Sequence, residues 1–244
     1  MRIALFADIH GNLLALEAVL AELQNEAVDR LICLGDIAAV GPQPHEVIGR
    51  LRQSDCIAVK GNTDAWLSDD KVWSRMQELL PQDVAEIVAW NLAQITADDR
   101  TYLHALPATC ELDLGEGQIL LCYHGSPNSY DDILLATTDV EDVDRMLTGR
   151  TGTVLAGGHT HVAMLRRHRE MILLNPGSVG SPMVVFPEIQ PNPLQAEYLL
   201  LDVVNGRISP TFGAVELDGT AVQGAAHQAN MPHADWWCGF YQQH

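Results

Sequence analysis

Asp8 with His10, Asp36, Asn62, His124, and His159 with His161 are the residues of this 244-residue chain that could do chemistry together. They stand in five short polar stretches, each directly after an apolar run. Carboxylate, imidazole and amide oxygen form a mixed donor set that accepts Mn, Fe, Zn, Co or Ni, with Mn or Fe favoured. Thiolate is missing from the set, which argues against a structural zinc site. One carboxylate can bridge two ions. Paired ions about 3.5–4 Å apart can clamp a phosphate and activate a water.

Taken singly, the pieces are weak. Asp-x-His is a common accident, and Gly35-Asp36 and Gly61-Asn62-Thr63-Asp64 also read as turns. Gly158-His159-Thr160-His161 is stronger. Two side chains two positions apart in a strand share a face, so both imidazoles would reach one site. Five such stretches in series, each ending a strand, point to one metal-dependent centre.

The surrounding pattern supplies the elements that must position them. Arg2–Ala7 is an apolar run that stops at Asp8. Leu13, Leu16, Leu20 and Leu23 then repeat at helical spacing, with Asn12 as the expected N-cap. Leu31–Leu34, a helix near Glu46–Gln53, and a strand at Cys56–Val59 follow. Strand, loop and helix alternate, which predicts a mostly parallel sheet with its site at the carboxyl ends of the strands. Residues from about 64 to 104 read as a helical insertion broken at Pro81. Strands are expected at 111–114, 118–123, 153–156, 171–174, 198–203 and 208–215, with a helix near Val140–Leu147. Gly115-Glu116-Gly117 marks a hairpin turn. The fold class expected is α/β, two mixed sheets packed face to face and flanked by helices. One domain is expected over residues 1–217. Pro182–Pro193 is expected as an irregular loop, and residues 218–244 as a tail, mobile or packed on the domain.

Composition narrows the function. Fourteen Lys and Arg stand against 32 Asp and Glu, a net charge of −18. Such a chain repels a nucleic-acid backbone, whose binding rests on Lys and Arg replacing counterions. Duplex nucleic acid is therefore not an expected partner, whereas a small phosphoester brought to bound metals is. Five cysteines without a CxxC read as reduced thiols of a cytoplasmic protein. The run after Arg2 is too soon interrupted for a signal peptide, and no stretch has the length of a membrane span.

The order Asp8-x-His10, Gly35-Asp36, Gly61-Asn62-x-Asp64, His124-Gly125 and Gly158-His159-Thr160-His161 resembles that of the calcineurin-like metallophosphoesterases. It is most similar to their compact prokaryotic phosphodiesterase-type branch. His10-Gly11-Asn12, Gly41-Pro42-x-Pro44, His124-Gly125-Ser126-Pro127 and Asn175-Pro176-Gly177-Ser178-Val179-Gly180 add to the likeness, which covers roughly residues 1–205. The resemblance implies a four-layer α/β/β/α sandwich and two divalent ions. It implies that Asp8, His10 and His161 bind one ion, that Asn62, His124 and His159 bind the other, and that Asp36 bridges them. The implied reaction is attack on phosphorus by a metal-bridging water or hydroxide, whose pKa falls from about 15.7 toward about 7. Asp36, Asn62 and His124 would act through that water, with no protein nucleophile.

One position departs from the family pattern. Many phosphatases of the family carry His after the Asn, as a general acid; here it is Thr63. A hydroxyl is a poor acid near neutral pH. An alkoxide leaving a monoester needs that proton more than an activated diester does, so phosphodiester hydrolysis is expected. The alternatives are a phosphomonoesterase or nucleotide pyrophosphatase with the same site, or a non-catalytic protein-binding scaffold. His45 and Asp64 are candidates for an auxiliary role. His168 among Arg166, Arg167 and Arg169 reads as a solvated strand edge that could touch an anion. The cluster Trp236-Trp237-x-Gly239-Phe240-Tyr241 could stack on a base, seal an interface or pack on the chain's own surface.

Overall fold

The computed structural model describes residues 1–181, 183–184, 190–191 and 194–241. The stretch Pro182–Pro193, expected as an irregular loop, lies largely outside them, as does His244.

The first half runs β1 (Arg2–Phe6), α1 (Leu13–Leu23), β2 (Arg30–Cys33), α2 (Pro44–Gln53) and β3 (Ile57–Ala58). The three strands are parallel neighbours, the arrangement that strand–helix alternation favours. A helical stretch follows: α3 (Asn62–Ser68), α4 (Asp70–Met76), α5 (Gln82–Gln94) and α6 (Ala97–Ala105). The remainder is β4 (Cys110–Gly115), β5 (Gln118–Cys122), α7 (Val140–Met146), β6 (Val154–Ala156), β7 (Met164–His168), β8 (Met171–Asn175), β9 (Met183–Val184), β10 (Gln190–Pro191), β11 (Gln195–Val204), β12 (Arg207–Glu216), α8 (Gly219–Gln228) and α9 (Ala234–Cys238). A 3₁₀ turn at Gly239–Tyr241 closes the described chain.

Two five-stranded mixed sheets result, ordered β12-β11-β1-β2-β3 and β4-β5-β6-β8-β7. Strand alternation builds four layers from them. Ile3 and Leu5 point into the space between the sheets, where they meet Leu120 and Val154. Ala4 and Phe6, on the opposite face, pack with Leu16 of α1 and Ile48 of α2. Leu121 and Leu155, on the outer face of the second sheet, cover Val143 of α7. Each fully buried Leu or Ile stabilises by roughly 1.5–3 kcal/mol relative to exposure. The fold is the α/β sandwich of two helix-flanked mixed sheets.

Local signals fix the helix starts. The Asn12 carboxamide accepts the Ala15 N–H at 3.1 Å, capping α1. Pro81 stands just before α5, where a missing N–H costs nothing. Thr96 and Asp99 form a capping box on α6.

One sequence expectation needs correction. The Arg166–Arg169 segment is the edge strand β7 and its turn; Arg167 and Arg169 are exposed, but His168 is not solvated. His168 is 4% exposed, with Nε2 2.8 Å from Asp144 Oδ1. Arg169 Nε donates to the same carboxylate, and Arg166 donates to the Leu135 carbonyl at 3.1 Å. His168 alone departs from the expected solvated edge, its imidazole being committed to Asp144. Of the two alternatives for the tail, the described residues after Asp218 take the packed one: Val222, Ala226, Met231 and Trp237 join Ile87 of α5 in a hydrophobic cluster. Among the described residues no helix is long and apolar enough to cross a membrane.

Candidate metal centre

The parallel strands deliver their carboxyl ends to one edge of the sandwich, and polar residues follow immediately. Asp8 and His10 follow β1, Asp36 follows β2, Asn62 opens α3 after β3, His124 follows β5, and His159 and His161 follow β6. The first two loops are zipped together past the strands: Asp8 N–H donates to the Gly35 carbonyl and His10 N–H to that of Asp36, both at 3.0 Å.

Asp8, His10 and His161 bring ligand atoms within 4.8 Å of one another, and so do Asp36, His124 and His159. His10 Nε2 lies 3.1 Å from His161 Nε2, and His124 Nε2 lies 3.0 Å from Asn62 Oδ1. Donors about 2.0–2.2 Å from one ion stand roughly 3–3.6 Å apart, so these spacings fit shared ions. Asp36 Oδ2 is 3.8 Å from His10 Nε2 in one group and 3.4 Å from His124 Nε2 in the other. Asn62, though outside the His and carboxylate groups, places its amide oxygen against the second.

His159 and His161 reach the site by a route that strand periodicity does not describe. They lie in a loop, each with a left-handed backbone (φ 69° and 58°), and their imidazoles diverge to the two groups. Asp8, His10 and Asp36 are left-handed as well, at φ 57°, 47° and 54°. Such angles are uncommon outside glycine, and their concentration at functional loops reflects strain held by surrounding structure.

That surrounding structure is specific. His10 Nδ1 lies 3.0 Å from the Ala39 carbonyl and His124 Nδ1 2.7 Å from that of Leu34. A proton on each Nδ1 leaves Nε2 as a lone pair aimed into the site. The Ser178 hydroxyl donates to the Asp8 carbonyl at 2.9 Å. The Asn175 amide donates to the Gly158 carbonyl at 2.7 Å and to Thr160 Oγ1 at 3.1 Å. The turn after β8 thereby braces the His159–His161 loop. At Gly61 a Cβ would fall 2.1 Å from Asp36 Oδ1, so only glycine admits that carboxylate.

Electrostatics supports cations in this place. Asp8 is fully buried, and its Oδ1 has no hydrogen-bond partner among the described residues. His161 Nε2 stands 3.4 Å from it; an ionised buried oxygen so weakly compensated is costly, and a metal ion removes that cost. Against burial, which acts upward, the His124 charge and hydrogen bond hold Asp36 well below the usual carboxylate range. Against burial, which acts downward, Asp36 and Asp8 push His124 up to about 10. Burial and then the His124 charge bring His159 down to about 4. Two buried carboxylates amid imidazoles thus favour positive charge between them, and the residues present fit two divalent ions.

The remaining candidates are placed as follows. Asp64 is buried, and its carboxylate accepts the N–H groups of Asp36, Ile37 and Gly61, each at 2.9 Å. It ties the second and third loops together; burial and the Asp36 charge push its pKa up to about 6. His45 bonds Asp99 at 2.7 Å and borders a separate surface cavity with Trp90 and Gln228. Thr63 is 3% exposed, lines the cavity at the candidate metal site, and its hydroxyl has no hydrogen-bond partner among the described residues. Trp236 and Trp237 line the same cavity. Sequence reasoning did not find their position, because no periodicity links the chain's end to residues near its start.

Known proteins resemble this chain in sequence and fold. Over 196 residues the chain is 28% identical to an uncharacterized protein of Methanocaldococcus jannaschii, covering 74% of this chain and 76% of that one. It superposes on a metallophosphoesterase from Sphaerobacter thermophilus with a TM-score of 0.74 at 26% identity, covering 99% of this chain and all of the other. A hypothetical protein from Pyrococcus horikoshii shares the fold with a TM-score of 0.78 at 20% identity, covering 95% and 94%. The family model of the calcineurin-like phosphoesterase superfamily domain matches residues 1–206, and the chain belongs to that superfamily.

Proposed function

We propose that this chain is a phosphodiesterase with two divalent ions, manganese or iron favoured, acting on a small phosphodiester in the cytoplasm. The observation that carries the reading is the position of Asp36 Oδ2, within 4 Å of an imidazole from each ligand group. Asp8, His10 and His161 would hold one ion, Asn62, His124 and His159 the other, and Asp36 both. When bound, such ions supply Lewis acidity and a water acidic enough to be ionised near neutral pH.

The chain's own contribution is positional. The carbonyls of Ala39 and Leu34 fix the orientation of His10 and His124. Asp64 and Ser178 fix the loops that carry Asp36 and Asp8. The Thr63 hydroxyl, buried at the cavity without a partner among the described residues, would donate a hydrogen bond to a substrate oxygen. It cannot act as an acid with a pKa near 7, which is what supports diester over monoester hydrolysis. The intact ligand set supports catalysis over a scaffold role.

The test is a comparison on manganese-reconstituted protein. Bis(p-nitrophenyl) phosphate should be cleaved with a higher kcat/KM than p-nitrophenyl phosphate, and glycerol phosphate hardly at all. Faster cleavage of the alkyl monoester would overturn the preference, and loss of no activity on chelation would overturn the metal requirement.

A further inference from the structure

The cavity at the metal centre holds about 520 Å³, within the range of small-molecule sites. Metal coordination accounts for His10, Asp36, Asn62, His159 and His161 in its lining, but for little of the rest. Trp66, Leu80 and Val84 from the helical stretch meet Trp236 and Trp237 of α9 there. Among the described residues no Lys or Arg lines it, and its further charged groups are Asp83 and Asp131.

That composition discriminates between phosphoester classes. A polyphosphate brings several negative charges, which proteins match with Arg and Lys beyond any metal. Here two carboxylates stand where those cations would be needed. An uncharged ring, by contrast, gains from burial against Trp and aliphatic side chains.

The aromatic wall is built in. Trp237 is 2% exposed and its ring lies 4.6 Å from that of Tyr241. Asn12 donates to the Tyr241 hydroxyl at 3.1 Å, and that hydroxyl donates to the Gly180 carbonyl. His233, at the start of α9, meets Asp83 at 3.2 Å and Glu86 at 2.7 Å on α5. The Trp236 and Trp237 side of the wall lies beyond Gly206, where the family match ends.

We propose that the substrate is a phosphodiester of single negative charge whose ester group carries a flat, uncharged ring, seated against Trp66, Val84, Trp236 and Trp237. This rests on the diester hydrolysis argued above. It disfavours nucleotide pyrophosphates and dinucleoside polyphosphates.

The experiment keeps one leaving group and varies the other ester. Manganese-loaded full-length protein is given p-nitrophenyl diesters whose second group is methyl, octyl, benzyl or thymidine-5′-yl. In parallel, tryptophan fluorescence is titrated with dimethyl phosphate, dibenzyl phosphate and tripolyphosphate. Benzyl and thymidine esters should exceed the methyl ester in kcat/KM by about tenfold, the order expected for one stacked ring. Dibenzyl phosphate should quench at lower concentration than the other two ligands. Trp236→Ala should shrink the benzyl-to-methyl ratio to roughly threefold or less, and Trp236→Phe should keep most of it. Trp236 is chosen because it is only partly buried.

Equal kcat/KM across the series would overturn the proposal while leaving diester hydrolysis standing. Octyl outrunning benzyl would replace the ring with an alkyl chain, and tightest binding of tripolyphosphate would overturn the charge argument. Tighter dibenzyl binding with no hydrolysis of any ester would uphold the ligand class and defeat the hydrolase reading.

Discussion

The carboxylate of Asp64 accepts the backbone N–H of Asp36 at 2.9 Å and, through its other oxygen, that of Ile37 at the same distance. A third bond from Gly61 N–H completes a buried clamp between the two loops that carry the proposed ligands Asp36 and Asn62. In Asp64→Asn an amide N–H₂ must face one of these donors, leaving it without an acceptor. An unsatisfied buried donor costs about 1–3 kcal/mol. The urea unfolding midpoint should fall accordingly, and manganese affinity should weaken because Asp36 is no longer held. An unchanged midpoint would show that the clamp is not structural.

Metal content tests the proposed Asp36 bridge. Reconstituted protein should carry two manganese ions per chain by elemental analysis, and Asp36→Asn fewer. Saturation at about 100 times the dissociation constant adds roughly 2.7 kcal/mol of stability, so chelation should lower Tm. Two ions retained in Asp36→Asn at wild-type affinity would overturn the proposed bridging role.

Thr63→His tests the leaving-group argument. An imidazole at this cavity position restores a group with a pKa near neutrality, and positioned general acids contribute about 10²–10⁴ in rate. Glycerol phosphate hydrolysis should rise by at least about tenfold. Hydrolysis of p-nitrophenyl phosphate should rise far less, because its leaving group needs no proton. An equal rise on both substrates would mean that the substitution changed binding rather than proton transfer.

Much of this was legible in the sequence, and the reason differs by feature. The apolar run Arg2–Ala7 ending at Asp8 predicts a strand with a polar loop because burial imposes a pattern on neighbouring residues. The run of helices from Asn62 to Ala105 is legible on the same ground. The grouping of His159 with one trio and His161 with the other is not, since it depends on two left-handed residues that no local propensity encodes. His168 was misread because charge on its neighbours says nothing of Asp144, 24 positions earlier, which pairs with it. The place of Trp236 and Trp237 is a contact between the chain's end and α5, and only tertiary packing sets it.

Tyr241→Phe isolates the anchor of that C-terminal segment. The change keeps the ring and removes one hydroxyl that serves both Asn12 and Gly180. Tyr241 is 3% exposed, and because the Asn12 amide still donates to the Gly180 carbonyl at 3.3 Å, the loss costs the net worth of the hydroxyl's bonds, about 0.5–1.5 kcal/mol each. Lower stability by urea unfolding is expected, together with a red-shifted tryptophan emission. A shift in neither would mean that hydrophobic contacts alone hold the segment.

His45 and Asp99 give a pH signature independent of the metal centre. The hydrogen bond and charge of Asp99 raise the His45 pKa above its ordinary value. Burial acts upward on Asp99, but its bonds to Thr96 and then to His45 bring it below the usual carboxylate value. A raised histidine pKa contributes stability that is full below the unfolded value, about 6.5, and is lost as pH rises through the folded one. A depressed carboxylate pKa contributes stability that is full above about 3.9 and is lost as pH falls through the folded value. The pair therefore contributes most between about pH 4 and 6.5. His45→Gln should lower the urea midpoint at pH 5, less at pH 7 and scarcely at pH 9. Because half of the His45 side chain is exposed, the difference at pH 5 should be small and should shrink in high salt. A gap that widened toward pH 9 would show that His45 acts through packing instead of charge.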